Sequence, residues 1–245
     1  MIGDNLLKSN RELHSPHSLF GVMSSGISGH LGADDYDSMY ESRSALTTVQ
    51  KQHFVEWFSG SSLPSYWDYG YSGGSNTSEM NDVVDGGYKH GCGSGVNFAQ
   101  WINFNGKQQY NPAGSVCISI HRMDSVAARG AALVGLMNGD SNATSNPHDA
   151  ITSHHAGFLK QHERNNYASS SNGTCTSTDT TVGGDAYKTY KSELGSSNIK
   201  FYIDGSLEIT KTTNLPTNRL QPSLTGYHTG GAGKLLITYM ECYNT

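Results

Sequence analysis

The stretch "SYWDYGY" sets Tyr66, Trp67, Tyr69 and Tyr71 around Asp68. An aromatic face binds the C–H side of a pyranose while a neighbouring carboxylate takes its hydroxyls, so these five residues compose a candidate sugar platform. Packing in a core or at a sheet edge uses the same residue types. Trp57 and Trp101 read as core residues. A second constellation, "NGDSN", spaces Asn138, Asp140 and Asn142 two apart, and oxygen ligands at this density suit calcium. A polar turn after a strand has the same composition.

Histidines cluster in "HDAITSHHAGFLKQHER", which holds His148, His154, His155, His162 and Arg164. Neutral imidazoles beside Asp149 could ligate a metal. Their spacing gives no i,i+4 pair, and adjacent His154 and His155 point to opposite faces of a strand. Polar groups of a solvated loop and strand are the simpler expectation. "GVMSSG" and "GSGVNFAQ" form neither a nucleophile elbow nor a phosphate loop. The sequons at Asn76, Asn142 and Asn172 are what chance produces in a chain so rich in Ser, Thr and Asn.

These residues must be positioned by strands. Only 15% of the 245 residues are charged, 29 are glycine, and short apolar runs alternate with Ser/Thr/Asn/Gly stretches. Net charge is −5 with no Lys/Arg block, which argues against a nucleic-acid partner. No apolar run has the length of a membrane span, and the first residues lack the pattern of a signal peptide. Cys92, Cys117, Cys175 and Cys242 include no C-x-x-C pair. They are expected as mostly buried free thiols, although four cysteines also permit two disulfides.

Helix formers cluster only in the first ~50 residues, so 1–53 reads as a partly helical or extended arm and 54–245 as one all-β domain. In "SVCISIH", Val116, Ile118 and Ile120 share one face and Cys117, Ser119 and His121 the other, as in a sheet buried mainly on one side. "KLLITYMECY" is apolar on both faces and reads as a central strand. "IKFYIDGSLEIT" alternates on both sides of Asp204-Gly205 and reads as a hairpin. Many short strands between regular turn signals imply a two-sheet antiparallel β-sandwich.

"FSGSSLPSYWDYGYSG", "VVDGGYKHGCGSG", "INFNGKQQYNPAGSVCISIHRMDS", "ALVGLMNGD", "GGDAYKTYKSELGSSNIKFYIDGSLEITKTTNLPT" and "LLITYMECYNT", taken in order, resemble the concanavalin A-like lectin/glucanase superfamily, in particular its laminarinase-like jelly rolls. The resemblance covers residues 54–245 and implies two curved sheets, one lining a groove that receives sugar in many members. Glucanases of this family carry an E-x-D-x-x-E strand, because residues two apart share a face and a retaining mechanism needs two carboxyls ~5–5.5 Å apart. The nearest candidate, "EMNDVVD", puts Glu79 and Asn81 on one face and Asp82 on the other, and "DDYD" with Asp35 and Asp37 lies in the arm. The catalytic pattern does not carry over. A lyase of this fold would use a His or Tyr base with a basic partner, for which His121–Arg122 and the histidine cluster are the candidates.

The reading expected from the sequence is a non-enzymatic structural or recognition module: a virion-surface protein, as capsid decoration or fibre, or an extracellular assembly. Its arm would contact other structural subunits and its surface could bind glycans. The alternatives are a stand-alone carbohydrate-binding lectin and a glycan-degrading hydrolase or lyase. No cofactor is expected, apart from the calcium that "NGDSN" could hold.

Overall fold

The computed structural model describes residues 53–72, 78–80, 87–91, 98–104, 106–107, 109–125, 130–139, 153–161, 165–228 and 234–245. The expected arm lies outside these residues except for His53. Asp35, Asp37, Asn76, Asn81, Asp82, Cys92, Asp140, Asn142, His148, Asp149, His162 and Arg164 also lie outside them.

Among the described residues every regular element is a strand. Numbered in chain order, the first sheet contains β1 (His53–Glu56), β3 (Glu79–Met80), β4 (Tyr88–Gly91), β6 (Ser115–Ser125), β11 (Lys188–Leu194), β12 (Ile199–Ile203), β13 (Ser206–Lys211) and β15 (Lys234–Asn244). The second contains β2 (Asp68–Ser72), β5 (Phe98–Asn103), β7 (Gly130–Met137), β8 (His155–Gln161), β9 (Asn165–Ser171), β10 (Cys175–Gly183) and β14 (Gln221–His228). Their orders are β13-β12-β11-β6-β15-β4-β3, with β1 also on β15, and β10-β9-β8-β7-β14-β5-β2. The pairings are antiparallel, so the chain forms the expected two-sheet sandwich.

Local chemistry accounts for the elements that sequence made legible. Asp204 (φ 49°) and Gly205 (φ 82°) both take left-handed backbone, the requirement of a two-residue hairpin turn whose twist matches its strands. The Asp204 carboxylate accepts the Thr189 N–H (2.9 Å) and the Lys188 ammonium (3.1 Å), which ties the β12–β13 turn to β11. β15 is central as expected: β6 runs along one side of it, while β4 and then β1 share the other.

Phe158 of β8 joins the layers. Its ring meets Tyr190 of β11 at 4.9 Å and Phe201 of β12 edge-on at 5.4 Å. Alternation therefore turns Ala156, Phe158 and Lys160 toward the first sheet and His155, Gly157 and Leu159 away from it. The same logic reverses the expectation for β6. His121 stacks on Tyr190 at 4.0 Å, so the face carrying Cys117, Ser119 and His121 is the interior one. Ile118 and Ile120, which sequence pattern suggested for the core, sit half-buried on the outer face. Two local contacts serve the inner polar groups: Ser119 Oγ lies 3.1 Å from His121 Nδ1, and the Cys117 and Cys242 thiols meet at 3.3 Å, while His121 Nε2 is buried without a hydrogen-bond partner. Cys117, Cys175 and Cys242 are free thiols, as expected.

Lys160 is 1% exposed. Its ammonium donates to Gly184 O and to Tyr190 Oη, both at 2.9 Å. Burial pulls its pKa down to about 7, against the attraction of Asp185 and aided by the repulsion of Lys188. Burial, helped by the Lys160 charge, likewise holds His121 well below the ordinary histidine range.

A second aromatic cluster closes the other end. Phe54, Trp67 and Phe104 meet edge-on at 4.7–5.6 Å, and Phe58 stacks on Trp67 at 5.7 Å. The buried Glu56 carboxylate accepts Trp67 Nε1–H at 3.2 Å and the Phe58 N–H at 2.9 Å. That second bond holds Phe58 in its positive-φ backbone (44°).

Two expectations follow. Trp67→Ala removes the ring shared by three aromatic neighbours and should lower the unfolding free energy by about 3–5 kcal/mol, read from urea titration; a loss below ~1 kcal/mol would contradict this packing. Between pH about 7 and the unfolded-lysine pKa, the unfolded chain binds the Lys160 proton and the folded chain does not. Stability should therefore rise with pH across that window by up to ~1.4 kcal/mol per unit, and Lys160→Met should flatten the rise in a series of urea midpoints.

Candidate functional site

The structure divides the aromatic cluster among three places. Trp67 is a core residue, 6% exposed, with neighbouring rings against it and its N–H committed to Glu56, so it cannot serve as a sugar platform. Tyr69 and Tyr71 lie on one face of the edge strand β2, 5.8 Å apart. Tyr71 is 51% exposed. Burial, and then the Tyr71 charge, push the Tyr69 phenol up to about 12. Asp68 lies on the opposite face of β2, and Tyr66 is half-buried in the turn before it.

On Asp68's face sits a tryptophan that sequence reasoning assigned to the core. Trp101 of β5 pairs with Gly70, while Asp68 pairs with Asn103. A Cβ built on Gly70 would meet the Trp101 ring at 2.3 Å, so the indole lies directly across the glycine. Glycine is required there because any side chain would displace the ring. Thr225 and Ser223 of β14 extend the same two rows inward. The result is a flat, half-buried indole with a half-buried carboxylate one register step away, at the edge of the second sheet and on the side turned from the first. Farther in, Asn103, Ser223 and Thr225 are buried. The signal available in the sequence was the pairing of "WDYGY" with "AQWIN", which places Gly70 beside Trp101, and only the register reveals it.

Carboxylates are scarce on this sheet. β5, β7, β8, β9 and β14 contain no Asp or Glu. Its acids are Asp68 on β2 and Asp179 on β10, at opposite edges and six inter-strand steps apart, on the order of 29 Å. Glycosidase pairs need ~5–5.5 Å for retention or ~6.5–9.5 Å for inversion. Glu79, weighed earlier as an acid, belongs to the other sheet and pairs with Lys89 at 2.7 Å.

Of the histidines expected in a solvated loop and strand, His121 and His155 are buried and His154 is half-buried, while His148 and His162 lie outside the described residues. His121 faces the sandwich interior. His154 Nδ1 accepts the Thr217 N–H at 3.1 Å. His155 is fully buried, with Nδ1 2.9 Å from Ser153 O and Nε2 2.9 Å from Ser169 Oγ. Burial holds its pKa down to about 4, while the Ser153 carbonyl pulls the other way. Among the described residues no group of three or more His, Cys, Asp and Glu side chains converges to hold a metal. Of the residues suggested for calcium, only Asn138 is described; its N–H donates to His154 O at 2.8 Å.

No protein-family model matches the chain. No curated protein matches it either. Solved structures do. A Bacillus licheniformis β-glucanase aligns at 12% identity and TM-score 0.54, over 79% of this chain and 98% of its own. A pseudo-β-1,3-glucanase and immunostimulatory antigen of Mycobacterium tuberculosis aligns at 10% identity and TM-score 0.55, over 78% and 98%. The Crh5 transglycosylase aligns at 11% identity and TM-score 0.53, over 79% and 84%. These likenesses lend no support to the expected virion role. At such identities they show the fold alone: a concanavalin A-like, glucanase-like β-sandwich.

Proposed function

We propose that the chain is a carbohydrate-binding protein that does not hydrolyse its ligand. The observation that carries this reading is the Trp101 indole laid across Gly70 with Asp68 beside it. An indole face presents a flat apolar surface to the axial C–H groups of a pyranose, and a carboxylate at its margin accepts the sugar hydroxyls. The spacing of the acids supports binding without cleavage. Among the described strands of this sheet, Asp68 and Asp179 stand on opposite edges, so these two do not meet over one glycosidic bond. β-Glucans are the first ligands to test, because a β-glucanase and a pseudo-β-1,3-glucanase share the fold.

The test is calorimetric titration of the full chain with β-1,3- and mixed-linkage glucan oligosaccharides, with parallel measurement of released reducing ends. Binding should be saturable and without release. Trp101→Ala should weaken it at least tenfold, the equivalent of ~1.4 kcal/mol, and Asp68→Ala by a similar factor, while both variants keep a single cooperative urea transition. Release of reducing ends would refute the non-hydrolytic part. Binding that survives Trp101→Ala would move the site elsewhere.

A further inference from the structure

At the edge of the second sheet opposite Trp101, β8, β9 and β10 bring one thiol, one imidazole and two hydroxyls together. His155, Ser171 and Cys175 stand in one register row and Gly157, Ser169 and Ser177 in the next. Cys175 Sγ lies 3.9 Å from His155 Nε2, 3.6 Å from Ser169 Oγ and 3.9 Å from Ser177 Oγ. Ser169 Oγ is 2.9 Å from His155 Nε2 and 3.1 Å from Ser177 Oγ.

The proton positions follow from the partners. A backbone carbonyl only accepts, so His155 Nδ1, 2.9 Å from Ser153 O, carries the ring proton, and Nε2 is left as an acceptor that faces Ser169 Oγ at 2.9 Å and Cys175 Sγ at 3.9 Å. A backbone carbonyl holding the far ring nitrogen is the arrangement that orients histidine ligands in metal sites. At 0% exposure the neutral ring is favoured, which a metal ligand needs and a general base must give up. The sulfur–nitrogen gap also fits. At zinc's bond lengths of ~2.3 Å to sulfur and ~2.0 Å to nitrogen, one ion spanning the 3.9 Å gap would sit at an angle of about 130°, wider than the tetrahedral angle of zinc sites. Cys175 is half-exposed and gives the site its entrance.

Charge selects the ion. Lys211, 7% exposed, is anchored on Thr176 O at 2.7 Å and Thr176 Oγ1 at 3.0 Å, within electrostatic reach of Cys175. A thiolate with a monovalent ion is neutral beside that ammonium, whereas a divalent ion would leave two like charges in a half-buried place. Soft thiolate ligation favours Cu(I) in the same direction.

We propose that Cys175 and His155 form a two-ligand site for a soft monovalent metal ion of the Cu(I) class. Cys175 Sγ and His155 Nε2 bind the metal, and the Ser169 hydroxyl turns from Nε2 to its partner Ser177. On binding, the S–H bond breaks, a sulfur–metal bond forms and the proton leaves to solvent, with no change in oxidation state. This site is independent of the glycan reading, since no residue is shared.

The experiment uses the reduced full chain under anaerobic conditions, with Cu(I) supplied as its coloured bicinchoninate complex. The protein should withdraw one equivalent. Cys175→Ser and His155→Gln should each weaken that uptake at least a hundredfold, and Cys117→Ala should leave it unchanged, which separates this site from the buried Cys117–Cys242 pair. A readout on unmodified protein stands beside the variants: one equivalent of Cu(I) should protect Cys175 from iodoacetamide in peptide mass spectra. No uptake, or uptake that leaves Cys175 open to alkylation, overturns the site. Protection by Zn(II) at equal or lower concentration overturns the monovalent assignment.

Discussion

The contact of Phe158 with Tyr190 and Phe201 decides which way the whole sandwich faces. Side chains alternate across a strand, so anchoring one residue of β8 between the layers sends its neighbours outward, and hydrogen-bonded register transmits that choice from strand to strand. Through β7, β14 and β5 it reaches Trp101, and from there Asp68 on β2. A slip of one residue anywhere on this path would put Trp101 inside and Ile102 outside. The interior aromatics thus hold the candidate binding face in place without touching it.

The interior chosen in this way is more polar than a sandwich of this size requires. Lys160, His121, Ser119 and the two facing thiols occupy it, while Ile118 and Ile120 lie on the outer face. Each polar group is tolerated through a specific neighbour: Lys160 on a carbonyl and a phenol, His121 on Ser119 and the Tyr190 ring. Such networks are costly when one member is lost, which ties Lys160 on one sheet to Tyr190 on the other more specifically than apolar packing would.

How far the sequence could be read follows from the range of the interactions involved. The Asp204-Gly205 hairpin and the central place of β15 rest on local turn chemistry and on alternation within one segment, and both were legible. The inner face of β6 was not. Alternation showed two faces, but the apolar count pointed to Val116, Ile118 and Ile120, whereas contacts from residues ~70–125 positions away place Cys117, Ser119 and His121 inside. Trp67 and Trp101 depart from expectation for the same reason: Trp67 is buried in the core and Trp101 is half-buried. Trp67 precedes β2 and Trp101 lies within β5, and only their distant partners distinguish one stacked on Phe58 from one laid across Gly70. Trp57, also expected in the core, is 53% exposed beside Tyr239.

On the proposed reading, the sandwich separates holding a sugar from cutting it. A platform needs one ring, one carboxylate and a glycine at the right register, all of which an edge strand and its neighbour supply. Cleavage needs two carboxyls at a defined gap, which residues two apart on one strand provide most directly. β8 has the length and position to carry such a pair, yet its outward positions include His155, Gly157 and Leu159. Gly157 could not be replaced alone, since a Cβ there would meet the Val134 carbonyl oxygen at 2.4 Å. A carboxylate pair that uses Gly157 would therefore require β7 to move as well, so the backbone at this crossing disfavours that placement of the pair.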